Sequence, residues 1–277
     1  MLLPGLPNCF SHEVFSRYWA LSHWFQMRMD AIDKIMQFSG NFEPAHIATP
    51  RQDTNSLLAH SELIKKSQSG VIDLYFLGDS VTRRWGTSDS IWSTHFQHWQ
   101  QTFWGWNAAN FGWGGDCTQH ILWRIQNGEL ESVQPKVIIL LAGTNNIGAG
   151  HSASEVARGI GAILDVCLQK TPQTVIVLMG IFPRNDQTEY KRVVQDTNQL
   201  LEQFHDGERI HYLNINHLLT DEQGDLSELF TLDGLHLTLE GYRVWGSALI
   251  PLLSSVLGPK CENDFSPPPT GDPSLRV

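Results

Sequence analysis

Gly78-Asp79-Ser80 follows directly on Val71-Ile-Asp-Leu-Tyr-Phe-Leu77, so an apolar run ends in a turn that carries an acid and a hydroxyl. Far along the chain, Asp233-Gly-Leu-His236 opens onto an amphipathic run from Leu239 to Leu253. Serine is a weak nucleophile at its own pKa; it needs a base within hydrogen-bond reach, and the base needs an acid to fix its tautomer. Ser80, His236 and Asp233 could supply these three groups. His236 stands out among the 12 histidines because it alone sits beside a loop acid near the end of an apolar run. Acyl transfer also needs donors for the developing oxyanion. Two loops carry suitable ones, Asn110-Phe-Gly-Trp-Gly-Gly-Asp116 and Gly143-Thr-Asn-Asn146. Each feature also has a purely structural reading, since Ser, Asp and Asn are favoured in turns and caps and glycine permits close packing.

The elements that would position these groups follow from the apolar periodicity. Strands are expected at 71–77, 107–111, 136–142, 174–180 and 209–215, three of them almost continuously apolar, as in strands covered on both faces. Helical patterns at 116–127, 152–169, 187–205 and 238–257 alternate with them. This rhythm predicts a flavodoxin-like, three-layer α/β/α domain with a five-stranded parallel sheet, its site at the carboxyl ends of the strands. Residues 10–38 carry apolar groups at helical intervals, 40–55 read as a loop and 56–66 as a short helix. The expected organisation is a helical N-terminal extension over 1–66, an α/β domain over 67–258 and a disordered tail over 259–277, where Pro267-Pro268-Pro269 stands among few apolar residues.

The net charge of −10 comes without a Lys/Arg block, which argues against nucleic acid and anionic membrane surfaces as partners. No apolar run approaches the roughly 20 residues of a membrane span. The start, Met1-Leu-Leu-Pro-Gly-Leu-Pro, lacks a basic region and a long apolar stretch, so no secretory signal is visible. Cys9, Cys117, Cys167 and Cys261 are widely spaced, without a metal or C-x-x-C pattern, and suit a reduced, cytoplasmic setting; a secreted form trimmed of its signal is the alternative. No metal spacing, P-loop, H-E-x-x-H or G-x-S-x-G is present, so neither a metal nor a cofactor is expected.

Taken in order, the four loops resemble the SGNH (GDSL) hydrolase family over about 71–253. The resemblance implies Ser80 as nucleophile, Asp233 and His236 as its partners, and an oxyanion hole formed by the Ser80 N–H, the Gly115 N–H and the Asn145 amide. Asn110 to Leu130, Gly143-Thr-Asn-Asn146 and His236-Leu-Thr238 are most similar to the catalytic subunits of brain-type platelet-activating-factor acetylhydrolase. Asn146 stands where many family members have Asp, and Leu237 where many have Pro. A homodimer is the oligomeric state that this resemblance implies.

Tryptophan is concentrated between the serine turn and the glycine loop, at positions 85, 92, 99, 104, 106 and 113. Trp85 and Trp113 lie within a few residues of the presumed reacting groups and are expected to face substrate, as are Asp79 and Asn146. Flat indoles suit a sugar ring or the wall of a short acyl pocket. The reading is therefore a cofactor-free serine esterase that removes an acetyl group, from an acetylated carbohydrate. The alternatives are an acetylated lipid, or a silent relative that only binds. The base is expected to titrate near ~6.5, shifted upward by Asp233.

Overall fold

The computed structural model describes residues 43–275. Its frame is a five-stranded sheet in the order β2-β1-β3-β4-β5, with every neighbouring pair parallel. The strands are β1 (Leu74–Gly78), β2 (Ala108–Gly112), β3 (Val137–Leu141), β4 (Val175–Met179) and β5 (Ile210–Leu213). Each lies within one of the expected apolar runs or within one residue of it.

The helices are α1 (Thr54–Ser67), α2 (Ser80–Arg83), α3 (Ser93–Phe103), α4 (Thr118–Arg124), α5 (Thr144–Gly148), α6 (Ala153–Lys170), α7 (Tyr190–Leu201), α8 (Asn216–Leu219) and α9 (Leu239–Leu257). Helix α6 starts at a capping box, in which Ser152 and Glu155 satisfy each other's backbone N–H groups. Helix α9 starts at Thr238, whose hydroxyl accepts from the Gly241 N–H. Alternation along β1 divides the interior. Tyr75 and Leu77 join a core with Ile121, Ile160 and Leu201 from α4, α6 and α7. Leu74 and Phe76 join a second with Trp99, Phe103, Tyr242 and Trp245 from α3 and α9. Two cores on opposite faces of one sheet make three layers.

Because β1 has β2 on one side and β3 on the other, the chain changes direction across the sheet there. The crevice at their carboxyl ends is where such folds keep ligands. Gly112, at the end of β2, closes one wall tightly: a Cβ there would lie 2.5 Å from the Arg83 backbone nitrogen and 2.8 Å from the Asp79 carbonyl. Only glycine lets β2 end against α2.

Two parts of the expected organisation differ. The compact unit begins at Glu43 and so includes α1, whose Leu63 is in the first core; the helix expected over 10–38 lies outside the described residues. The tail expected to be disordered is a strap laid on the domain over 259–275. Asp264 accepts from the Gly105 and Asn107 N–H groups at 2.8 and 3.1 Å, the Phe265 carbonyl accepts from Val71 N–H at 2.8 Å, and Asp272 N–H donates to Asp89 at 2.7 Å. Low apolar content suggested disorder, but carboxylate and backbone hydrogen bonds hold an extended, proline-rich segment without needing a core of its own.

Candidate active site

The turn after β1 places Asp79 as the cap of α2, its Oδ1 accepting from the Val81 N–H at 2.9 Å, and Ser80 as the first helical residue. From the other end of the chain, a loop before α9 brings His236 to it. Ser80 Oγ lies 3.0 Å from His236 Nε2, and His236 Nδ1 lies 2.7 Å from Asp233 Oδ2. The other Asp233 oxygen accepts the backbone N–H groups of His236 and Leu235 at 2.7 and 3.0 Å. Hydroxyl, imidazole and carboxylate thus form one hydrogen-bonded line, in which an imidazole can take the serine proton while the carboxylate holds its ring.

Electrostatics suit that line. Burial works to raise the Asp233 carboxyl, but the hydrogen bonds from the His236 backbone and ring and from the Leu235 N–H hold it at about 2. His236 is displaced below its ordinary value, chiefly by burial and with help from the charges of Arg84 and Arg184, against the pull of Asp233. The expected upward shift of the base is therefore reversed: burial outweighs the carboxylate.

The donor loops converge on the same place. Gly114 comes near Ser80, a Cβ on it falling 3.9 Å from the serine Cβ, and Gly115 follows at φ +77°, a conformation glycine adopts without strain. Asn145, on α5, is half-buried, and its amide donates to the Asp116 carbonyl at 2.8 Å. An amide has two N–H bonds, so one anchors the side chain and the other can serve an oxyanion. Beneath these loops lies a buried ionic cluster. Arg124 Nε donates to Asp116 Oδ2 at 2.8 Å, Nη1 pairs with Glu129, and Nη2 donates to the Phe111 carbonyl at 3.1 Å. His60 Nδ1 lies 2.8 Å from the other Glu129 oxygen.

Of the four residues expected to face substrate, Trp85, Trp113 and Asn146 do not do so, whereas Asp79 lines the cleft beside Ser80. Trp85 is fully buried, ringed by Phe76, Trp99, Phe103, Tyr242 and Trp245, with its N–H on His98 Nδ1 at 3.1 Å. Trp113 is 7% exposed, its N–H donating to Ser56 Oγ at 2.8 Å and its ring under Arg83 at 4.9 Å. Asn146 is wholly buried: its Oδ1 accepts from Thr118 N–H at 2.8 Å and its amide donates to Gln119 at 3.0 Å. It fastens α5 to α4. Asp79 is buried with Oδ2 unpartnered among the described residues, and burial pushes its carboxyl up to about 7. Proximity in sequence placed Trp85, Trp113 and Asn146 near the site; the requirement to fill the core turned them away from it.

A cleft of about 260 Å³, its open mouth included, is lined by Asp79 together with Val81, Leu141, Thr144, Phe182 and Leu235. Val81 follows Ser80, Thr144 precedes Asn145 and Leu235 precedes His236, so each of these three residues brings one wall residue with it. Apart from Asp79, sequence reading missed this wall and also Arg84 and Arg184. The available signal was positional and partial: Val81, Leu141, Ala142, Thr144, Phe182 and Arg184 lie at or just beyond strand ends in an open parallel sheet, whereas Arg84 and Leu235 do not.

Among the described residues no cluster of His, Cys, Asp and Glu could hold a metal ion, and no helix is long and apolar enough to cross a membrane.

Residues 76–244 match the model of the GDSL-like lipase/acylhydrolase family. Platelet-activating factor acetylhydrolase IB subunit alpha1 of Bos taurus is 33% identical over 79% of this chain and 93% of its own. The same subunit of Homo sapiens is 33% identical with the same coverage. The alpha2 subunit of Rattus norvegicus is 39% identical over 47% of this chain and 56% of its own. Among solved structures, a GDSL-like lipase from Bacteroides thetaiotaomicron superposes with TM-score 0.55 at 18% identity, covering 66% of this chain and 88% of the other. That likeness extends to the fold.

Proposed function

Because this chain belongs to the GDSL-like lipase/acylhydrolase family, and is thereby a carboxylic ester hydrolase, we propose that it is a serine acetylhydrolase working through an acyl-enzyme. Ser80 Oγ attacks the ester carbonyl as its proton passes to His236 Nε2. The tetrahedral oxyanion is held by the Ser80 and Gly115 N–H groups and the Asn145 amide. Collapse breaks the ester bond, and the departing alkoxide takes the proton from His236. Water then attacks the acyl-serine with His236 again as base, releasing acetate and restoring Ser80. Asp233 stabilises the imidazolium and keeps Nε2 toward the serine.

The observation that carries this reading is the continuous line from Ser80 Oγ through His236 to Asp233, at 3.0 and 2.7 Å. The acetyl preference is supported by the small, largely apolar cleft walled by Val81, Leu141, Phe182 and Leu235. For the alcohol half, the carbohydrate reading leaned on Trp85 and Trp113 as platforms, and both rings are buried. The relatives' names favour an acetylated phospholipid of the platelet-activating-factor kind, and we adopt that substrate class.

The test is hydrolysis of p-nitrophenyl acetate, then of an acetylated ether phospholipid against acetylated xylan. Ser80→Ala and His236→Ala should each lose about 10⁴ to 10⁶ in kcat, and Asp233→Asn less, with the fold intact. Retention of more than a few per cent activity by Ser80→Ala would remove the nucleophile assignment. Preferred turnover of xylan would restore the carbohydrate.

A further inference from the structure

Arg184 stands just beyond the carboxyl end of β4 and is 7% exposed. One edge of its guanidinium is clamped by Asp186, Nε donating to Oδ1 at 2.7 Å and Nη2 to Oδ2 at 2.5 Å. The Tyr190 ring covers its face at 4.5 Å. The remaining nitrogen, Nη1, donates to the Thr144 carbonyl at 2.6 Å and lies 3.2 Å from the Thr144 hydroxyl. Thr144 is a wall of the acyl cleft, and its carbonyl belongs to the peptide bond that leads into Asn145.

The next residue reaches the opposite loop. Asn185 N–H donates to the Gly234 carbonyl at 2.7 Å, within the Asp233–His236 turn, and the Asn185 side chain exchanges hydrogen bonds with Leu226 N–H and carbonyl at 2.8 and 2.7 Å. Gly234 is pressed so closely against this segment that a Cβ there would lie 3.1 Å from the Asp186 nitrogen. Arg184-Asn185-Asp186 is therefore bonded both to the loop that carries the oxyanion amide and to the loop that carries the base.

We propose that Arg184 is a positioning residue for acyl transfer, fixing Thr144, and with it the Asn145 donor and the acyl wall, against the Asp233–His236 turn. The proposal rests on Ser80 acting as nucleophile. A rigid planar fork is needed because one side chain must satisfy a bidentate carboxylate and a carbonyl in different directions; the point charge of lysine cannot do both. Its charge also bears on His236, together with Arg84 and against Asp233.

R184K, R184Q and D186N test it, with kcat, KM, Tm, the acyl-length profile on p-nitrophenyl esters and the acid limb of kcat/KM as readouts. Misplacement of a reacting group by about 1 Å can cost on the order of 10²-fold. R184K and R184Q should lose about that in kcat with KM changed little, and the preference for acetyl over hexanoyl should flatten. R184Q should move the acid limb upward, whereas R184K, which keeps the charge, should not. D186N leaves the arginine in place but loosens its clamp, so a smaller loss of the same kind is expected. If R184Q does not fold, R184K and D186N carry the test. Full kcat and unchanged acyl selectivity in those two, or losses confined to KM, would overturn the proposal. Activity that survives Ser80→Ala would instead overturn the functional reading beneath it, so the two failures are distinguishable.

Discussion

Arg84 Nη1 lies 3.8 Å from Asp233 Oδ2, the same carboxylate oxygen that stands 2.7 Å from His236 Nδ1. A cation and an imidazole thus share one acceptor. The arginine is itself held over the Trp92 ring at 4.6 Å. By lying beside the carboxylate it reduces the stabilisation that Asp233 can offer to a protonated His236.

That relationship contributes to the pH profile. His236 must be neutral to accept the serine proton, and burial foremost, with Arg84 and Arg184, places it below its ordinary value. Activity should therefore be full at neutral pH, and kcat/KM should fall on acidification through a pKa below about 6.5. Arg84→Gln should move this limb to higher pH. A limb of the parent enzyme above 6.5 would contradict the reading.

Asn145 and Asn146 should respond in different ways. Asn145→Ala removes a donor to a charge that exists fully only in the transition state, so kcat should drop about 10² to 10³-fold with little change in KM. Asn146→Ala leaves the buried Thr118 N–H without its acceptor, at a cost of about 1–3 kcal/mol. Thermal denaturation should detect the second and steady-state kinetics the first; a reversed pattern would mean the wrong asparagine has been chosen.

The acyl limit should sit in aliphatic side chains rather than indoles. Leu235→Ala should raise turnover of butyryl and hexanoyl esters relative to acetyl, because it opens a wall of the cleft. Trp85→Ala should instead cost about 3–5 kcal/mol of stability, as truncating a buried tryptophan does, without altering that ratio. Comparable hydrolysis of decanoyl and acetyl esters by the parent would refute the short-acyl assignment.

Asp79 makes a prediction about stability. Burial raises its carboxyl to about 7 in the folded state, well above the ordinary carboxylate range. The stability tied to its neutral form is then complete below the unfolded value and is lost as pH rises through the folded one. Asp79→Asn keeps an oxygen for the Val81 N–H and cannot ionise. The Tm difference between pH 5 and pH 8 should therefore shrink in this variant, the remainder reflecting groups such as Asp116, raised by burial to about 6. An unchanged difference would show that Asp79 stays ionised.

What could be read from the chain alone was local. Apolar runs of strand length, the turn chemistry at Gly78-Asp79-Ser80 and the spacing of Asp233 and His236 are set by neighbours a few residues apart, so the parallel sheet and the loops proposed to carry the reaction could be picked out. That Ser80 and His236 meet across 156 residues followed from every loop belonging at the same end of the sheet. Which way a side chain points was not legible, because it depends on what covers each face. Trp85 turned inward because α3 and α9 supply the rings around it, and Asn146 because α4 presents a backbone N–H to it. The roles proposed for Thr144, Leu235 and Arg184 likewise arise only when β3, β4 and the loop before α9 are brought side by side. The strap over 259–275 had no apolar signature, since its anchors are carboxylates on backbone N–H groups that tertiary structure alone brings within reach.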